Sequence, residues 1–256
     1  MGVVQGMSNA VYHSTSGISS SAVKSVYKKS LAHWKGEKRS QTAAFTMGTA
    51  VHALLLEEDR DLVIRGPKTK RSKAFTDMEA SLNEDQVLLT EVEYAVAKKM
   101  SKTTLQNAHC KKLLRHADRV NEVSIFATCP NTGLQLKTRP DLLIESEKTV
   151  YDVKTTMDAS PMGFSRECFK YAYDIQAAFY LYVCKLADID VNSFSFITVE
   201  KSAPYCSHIH TVSERLLDSA TERMHRTLAI IADATEDENY DTGWGDYSII
   251  ELPSWL

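Results

Sequence analysis

The 256-residue chain has little of several things that would place it quickly, and each shortage removes a class of function. Its five cysteines, Cys110, Cys129, Cys168, Cys184 and Cys206, are odd in number and never spaced as C-x-x-C. That argues against a zinc ribbon, an iron–sulfur cluster or a disulfide framework, and points to a reducing cytoplasm. No apolar run approaches the roughly 18 residues that a membrane span needs, and no charged segment followed by an apolar one opens the chain, so a soluble protein without a membrane partner is expected. Gly-rich phosphate loops of either nucleotide-binding type are missing, as is any internal repeat. Positive charge is not in surplus either. With a net charge of -3, any surface that grips phosphate has to be local.

What is present is enough apolar material, 43% of residues, for one sizeable core, so the whole of 1–256 is read as a single domain. Residues 1–40 form an N-terminal helical arm, 41–234 the core, and 235–256 an acidic tail with aromatics. The most informative stretch runs from Leu136 to Lys154. Its apolar groups Leu142–Ile144 and Val150–Val153 flank a polar connector, the pattern of two neighbouring strands joined by a turn. Such a hairpin brings Asp141 beside Asp152 and Lys154. The latter two, two residues apart, share one face, and Val153 between them offers its carbonyl. Two carboxylates and a carbonyl suit Mg2+, a hard cation that favours oxygen, with Lys154 next to its water, an arrangement for cleaving phosphodiesters.

Elsewhere the chain supplies further candidates. Residues 1–16 read as an irregular arm. Ser19 or Ser20 caps a helix that presents Lys24, Lys28 and Lys29 to solvent or to phosphate. A second helix over Ala43–Glu57 carries His52, which the segment alone leaves as either a packed core histidine or a ligand. Lys68, Lys70, Arg71 and Lys73 stand in a Gly/Pro-led loop over 66–76, either a surface loop or a DNA-backbone contact. Two or three helices are expected over 81–116, strands over 122–128 and 134–139 around the Pro130–Gly133 turn, and a helix over 164–186 whose Gln176 and Tyr180 share a face. Strands over 192–199 and 207–212 and a helix over 213–234 complete the pattern. Exposed Trp255 and Leu256 at the end suggest a subunit contact. The order of elements implies an α/β fold with a central mixed sheet flanked by helices.

The blocks MGTAVHALLLE, KTRPDLL, YDVKTT and QAAFY, in that order, together with YHSTSGISSSAVKSV and LAHWK, resemble the RecE-type (exonuclease VIII-like) phage and prophage exonucleases, in the RecB-like branch of the PD-(D/E)xK nuclease superfamily. The likeness spans roughly residues 7–200 and implies a restriction-endonuclease-like core. By resemblance, His52, Asp141, Asp152 and the Val153 carbonyl hold Mg2+, for which Mn2+ substitutes. Lys154 is the catalytic lysine, Gln176 and Tyr180 support the site and contact DNA, and Glu122 is an additional acid. The motif's variable acid is Asp152 here, where glutamate is commoner.

The resemblance also implies 5′-to-3′ digestion of linear double-stranded DNA, releasing 5′-mononucleotides and leaving a 3′ single strand. It further implies a ring-shaped homo-oligomer of three or four subunits in the bacterial host cytoplasm and a single-strand annealing partner. In such a ring Lys68–Lys73 and Arg139 are candidate DNA contacts, and Ser19, Ser20 and Lys24 a candidate pocket for a terminal 5′-phosphate. The alternative within the superfamily is a structure-specific or single-strand nuclease similar to the RecB nuclease domain or the four-cysteine CRISPR-associated nucleases; the missing cysteine cluster counts against the latter. A non-catalytic DNA-binding assembly module is disfavoured by the intact acid–acid–lysine set.

Overall fold

Alternation along one strand, Thr149–Thr156, sets the architecture: Val150, Asp152 and Lys154 face one way, Tyr151, Val153 and Thr155 the other, and helices cover both sides. The computed structural model describes residues 2–37, 42–57, 61–83, 85–247 and 249, so the expected contact through Trp255 and Leu256 lies outside the described residues. In chain order the elements are strand β1 (Gly2–Val4), helices α1 (Asn9–Ser14), α2 (Ser20–Lys28), α3 (Leu31–Gly36) and α4 (Ala43–Leu56), β2 (Val63–Arg65), α5 (Lys73–Ala80), β3 (Val87–Leu89), α6 (Glu91–Gln106) and α7 (Ala108–Leu114). There follow β4 (Arg119–Asn121), β5 (Ser124–Thr128), β6 (Gln135–Thr138), β7 (Leu142–Ile144), β8 (Thr149–Thr156), α8 (Pro161–Lys170), α9 (Tyr173–Leu186), β9 (Ser193–Glu200), β10 (Ser207–Thr211) and α10 (Glu214–Glu236).

The main sheet has the order β10-β9-β8-β7-β4 and is mixed: β8 and β9 are parallel, bridged by the crossover through α8 and α9, and the other pairs are antiparallel. On one face Leu143, Val150, Phe194 and Phe196 pack with α2, α9 and α10. On the other, Leu142, Ile144, Tyr151, Val153, Ile197 and Val199 pack with α4, α6 and α7. Phe179, Phe194 and Phe196 are fully buried, each contributing about 2–3 kcal/mol by the area it removes from water. This is the α/β, mixed-sheet core that the sequence pattern predicts. All five cysteines are free thiols, and no helix among the described residues is long and apolar enough to cross a membrane.

The hairpin that leads to the site is one long pair of strands bent in the middle. Asn121 pairs with Leu142 and Ile125 with Thr138 in a single continuous register, yet the lower half belongs to the main sheet and the upper half, with β1, to a second three-stranded sheet. The bend falls at Glu122, whose φ is +53°, opposite Asp141, and the two are still joined by a backbone hydrogen bond of 3.3 Å. Pro140 at the bend cannot donate to a ladder, which helps end regular pairing there.

Several expectations need correction. The first residues are not an irregular arm: β1 adds to β5 and α1 follows. The helix expected over 164–186 is two helices, α8 and α9, separated at Ala172, whose φ of +51° an α-helix cannot accommodate. Leu88 belongs to a strand and not to a helix, because β3 pairs in parallel with β2. The basic loop of 66–76 gives way at Lys73 to α5, capped by the Ser72 hydroxyl accepting from the Phe75 amide at 3.2 Å. Three-residue strands and a two-turn helix are too short to show a period, so pairing partners decided them.

Candidate active site

Four segments converge where the long hairpin bends. Helix α4 contributes His52, the bend contributes Glu122 and Asp141, β8 contributes Asp152 and Lys154, and α9 contributes Gln176. His52 lies in the last turns of α4, and the end of that helix is tied down by Asn121, whose amide donates to the Leu56 carbonyl at 2.6 Å. The imidazole Nε2 is thereby placed 3.0 Å from Glu122 Oε1 and 3.0 Å from Asp141 Oδ1. Asp141 is fixed from its other oxygen: Oδ2 accepts the Val153 amide at 2.7 Å.

His52, Glu122 and Asp141 offer one ligand atom each, all within 4.8 Å of one another, so the two carboxylates and one imidazole can close on a single ion. This donor set fits Mg2+ through its oxygens and Mn2+ through oxygen and nitrogen alike. Burial works against a charge on His52, but Asp141 and Glu122 outweigh it and hold its pKa well above the usual histidine value. Burial likewise opposes the Asp141 carboxylate, yet His52 and Lys154 keep its pKa low. A proton shared by His52 and two carboxylates therefore stands where a divalent cation would replace it.

Asp152 is on the neighbouring face, toward α9 and α2, and is 2% exposed. Its Oδ1 accepts from Gln176 Nε2 and its Oδ2 meets Lys154 Nζ. Burial, then the nearby Asp141 charge, raises its pKa to about 6. Lys154 goes the other way: burial opposes its charge, but Asp152 and Asp141 raise its pKa, so it stays an ammonium. The pKa of the Tyr180 phenol is held well above its usual value by burial and by Asp152 and Asp141, so it stays protonated, and its ring packs edge-on against Phe194 at 5.8 Å. Of the expected site residues, His52, Glu122 and Asp141 thus form one cluster, and Asp152, Lys154 and Gln176 an adjoining one.

The remaining candidates fall into three groups. Arg139 turns inward. Its Nε donates to the Glu122 carbonyl at 3.0 Å and lies 3.2 Å from Glu122 Oε2, and its other nitrogens hold Asn9 Oδ1 and the Met7 carbonyl. That geometry makes it the residue that orients Glu122. Replacing it, Arg139→Met, is expected to weaken divalent-ion binding about 10–100-fold, measured by calorimetric titration, because the ligand loses its orienting partner. Unchanged affinity would remove Arg139 from that role.

Ser19 is the α2 N-cap but makes no side-chain cap bond, and this helix start lies beside a cavity of about 180 Å3 lined by residues that include Ser19, Ser20, Ser21, Lys137, Arg139 and Tyr180. Lys137 was not singled out by any pattern; its ammonium donates to the carbonyls of Tyr12 at 2.9 Å, His13 at 3.3 Å and Thr15. Finally, Lys68, Lys70, Arg71 and Lys73 are exposed, with Lys70 paired to Glu93 at 2.8 Å.

A mixed sheet between helical layers, with an acid at the hairpin bend, an Asp-x-Lys on the next strand and a glutamine from the crossover helix, defines the PD-(D/E)xK nuclease fold. Residues 19–246 match the model of a family described as a PDDEXK-like domain of unknown function, DUF3799, and the chain belongs to that family. Among solved structures it is similar to a "putative exonuclease" from Eubacterium rectale, at 14% identity and a TM-score of 0.67, covering 98% of this chain and 96% of that one. A phage related exonuclease from Haemophilus somnus is a looser likeness, at 15% identity and a TM-score of 0.34 over 84% of this chain and 94% of the other. No curated protein matches the sequence.

Proposed function

We propose that this protein is a divalent-metal-dependent exodeoxyribonuclease of the RecE type, which digests linear double-stranded DNA from the 5′ end and leaves a 3′ single strand for annealing. The observation that supports it most is the joining of the His52–Glu122–Asp141 cluster to Asp152, Lys154 and Gln176 at one bend of the sheet. An ion bound there supplies a Lewis acid that polarises the phosphate and acidifies a water. His52, Glu122 and Asp141 would hold it, with Asp152 and the Val153 carbonyl as the adjoining oxygen donors. Lys154, anchored by Asp152, orients the attacking water and offsets the negative charge that develops on the phosphate. Gln176 keeps the Asp152 carboxylate turned toward Lys154, and Tyr180 offers its hydroxyl proton toward the substrate side.

Polarity rests on the resemblance and on the cavity beside Tyr180, which the start of α2 lines with Ser19, Ser20 and Ser21; a helix start suits a terminal 5′-phosphate. A ring of subunits with Lys68, Arg71 and Lys73 lining its channel belongs to the same reading and reconciles DNA binding with a net charge of -3. Incubation of end-labelled linear duplex, closed circular duplex and single-stranded DNA with Mg2+, Mn2+ or EDTA tests it. Preferential, EDTA-sensitive loss of 5′-phosphorylated linear duplex is expected. Rapid cutting of the closed circle would instead favour a structure-specific nuclease, and light scattering that gives a monomer would remove the ring.

A further inference from the structure

Among the described residues, one half-buried lysine near the site has no carboxylate bonded to it directly. Lys24 sits on α2 between Val23 and Ser25, both buried, and is turned inward, whereas Lys28 reaches the Phe169 carbonyl and Lys29 pairs with Glu37 at 3.4 Å. The solvated basic face expected of this helix is therefore only partly one. Among the described residues the Lys24 ammonium makes one hydrogen bond, to Gln176 Oε1 at 2.9 Å. Gln176 is neutral, and its amide nitrogen is already committed to Asp152, whose other oxygen meets Lys154. The result is a chain, Lys24–Gln176–Asp152–Lys154, in which two ammonium groups share one carboxylate. Both also stand over the same ring: Lys24 Nζ is 5.2 Å and Lys154 Nζ 5.1 Å from the centre of Tyr173. An ammonium drawn partly out of water is not fully offset by an amide oxygen and an aromatic face, and the nearest carboxylate, Asp152, is already bonded to Gln176 and Lys154, so Lys24 has no anion bonded to it directly.

We propose that Lys24 is a catalytic residue of the nuclease site, whose ammonium takes a non-bridging oxygen of the DNA phosphate being cleaved, across from Lys154, with Gln176 as the amide that aims it. The proposal rests on the nuclease reading and adds to it a second substrate-binding cation, delivered by a helix outside the Asp-x-Lys strand. A phosphodiester carries a single negative charge that Lys24 can bond directly. Gln176 then has two tasks, one for each of its polar atoms: its nitrogen steadies Asp152 and its oxygen steadies Lys24. Burial and then Lys154 lower the Lys24 pKa to about 7, as expected for a cation whose anion arrives with the substrate.

Binding of a fluorescent linear duplex in EDTA, followed against salt concentration, tests the contact without any cleavage. Lys24→Met keeps the stem and removes the charge. It is expected to fold at least as stably as the parent and to lower the slope of log affinity against log salt by about 0.9, the loss of one phosphate contact. Lys24→Arg should keep the slope. With Mn2+ or Mg2+, Lys24→Met should lose about 100-fold in kcat, the usual scale for removing one donor to a developing negative charge. A packing role alone would move the melting temperature and leave the slope untouched, and that outcome overturns the proposal. If Lys24→Met does not fold, Lys24→Gln is read in the same way. A parent protein that binds DNA but never cuts it sinks the nuclease reading, while the slope still decides whether Lys24 grips phosphate.

Discussion

Asp152→Asn is expected to abolish cleavage and, in EDTA, to remove a pH dependence of stability. Asp152 is buried, 2% exposed, and burial together with Asp141 lifts its pKa to about 6. The folded state therefore holds that proton more tightly than the unfolded chain, and ionising the carboxylate costs folding free energy as pH rises from about 4 through about 6. A neutral isostere removes that pH dependence while also taking the carboxylate from Lys154, so the flattened slope, and not the absolute stability, reports the Asp152 proton. The same substitution takes the anchor from Lys154 and an oxygen donor from the metal side, so kcat should fall by about 1,000-fold or more, equivalent to roughly 4 kcal/mol of transition-state stabilisation. Thermal unfolding in EDTA and a linear-duplex digestion assay measure the two effects. A variant whose stability still falls as the pH rises from about 4 to about 6, or that digests DNA at the parent's rate, contradicts this account of Asp152. Lys154→Met should be as inactive while still binding the ion, since its ammonium touches none of the His52 cluster.

Divalent cations are expected to raise the melting temperature, and by more as the pH rises. At an ion concentration about 100 times its dissociation constant the gain is roughly 2.7 kcal/mol, which for a chain of this size is a shift of about 5–10 °C. The pH dependence comes from His52. Its folded pKa is raised, so the stability it contributes in EDTA is fully present below its ordinary pKa and is lost as pH climbs through the raised value. Over that same interval the imidazole becomes free to ligate, so the ion takes over where the proton leaves. Differential scanning fluorimetry with Mn2+, Mg2+ and EDTA between about pH 6 and 9 follows both trends. His52→Ala should lose the EDTA-state slope and most of the ion-induced shift. An ion-induced shift that is the same at every pH, or intact in His52→Ala, takes His52 out of the ligand set.

How far the sequence alone reaches is clearest at Asp152 and Lys154. Their spacing of two on a strand, and the turn that folds Val150 back onto Leu143, already put them beside Asp141, and the register of β7 with β8 does so. Gln176 was legible only through its match to a known block, since a glutamine on an apolar helix is otherwise unremarkable. Arg139, Asn121 and Lys137 carried no legible sign of their roles. Each serves by bonding to backbone carbonyls or to a ligand far away in the chain: Arg139 to Met7, Asn121 to Leu56 and Lys137 to Tyr12. No local pattern encodes a partner more than 60 residues distant, as all three are. Lys24 shows the same limit in reverse, because helical spacing marks it as one of a basic cluster and only the approach of α9 turns it inward.

By itself the sequence determined the alternation that makes β8 and β9 two-faced, the helices that cover them, and the set of acids and lysine on one hairpin, because these follow from side-chain period and turn chemistry within about ten residues. The tertiary structure alone decided that the preceding strand pair, β4–β5 against β6–β7, bends at Glu122, that His52 faces the bend, and that Lys24 stands across Gln176 from Lys154. Those placements depend on which surfaces pack together once the core has formed, and on where a charge buried by that packing finds its partner.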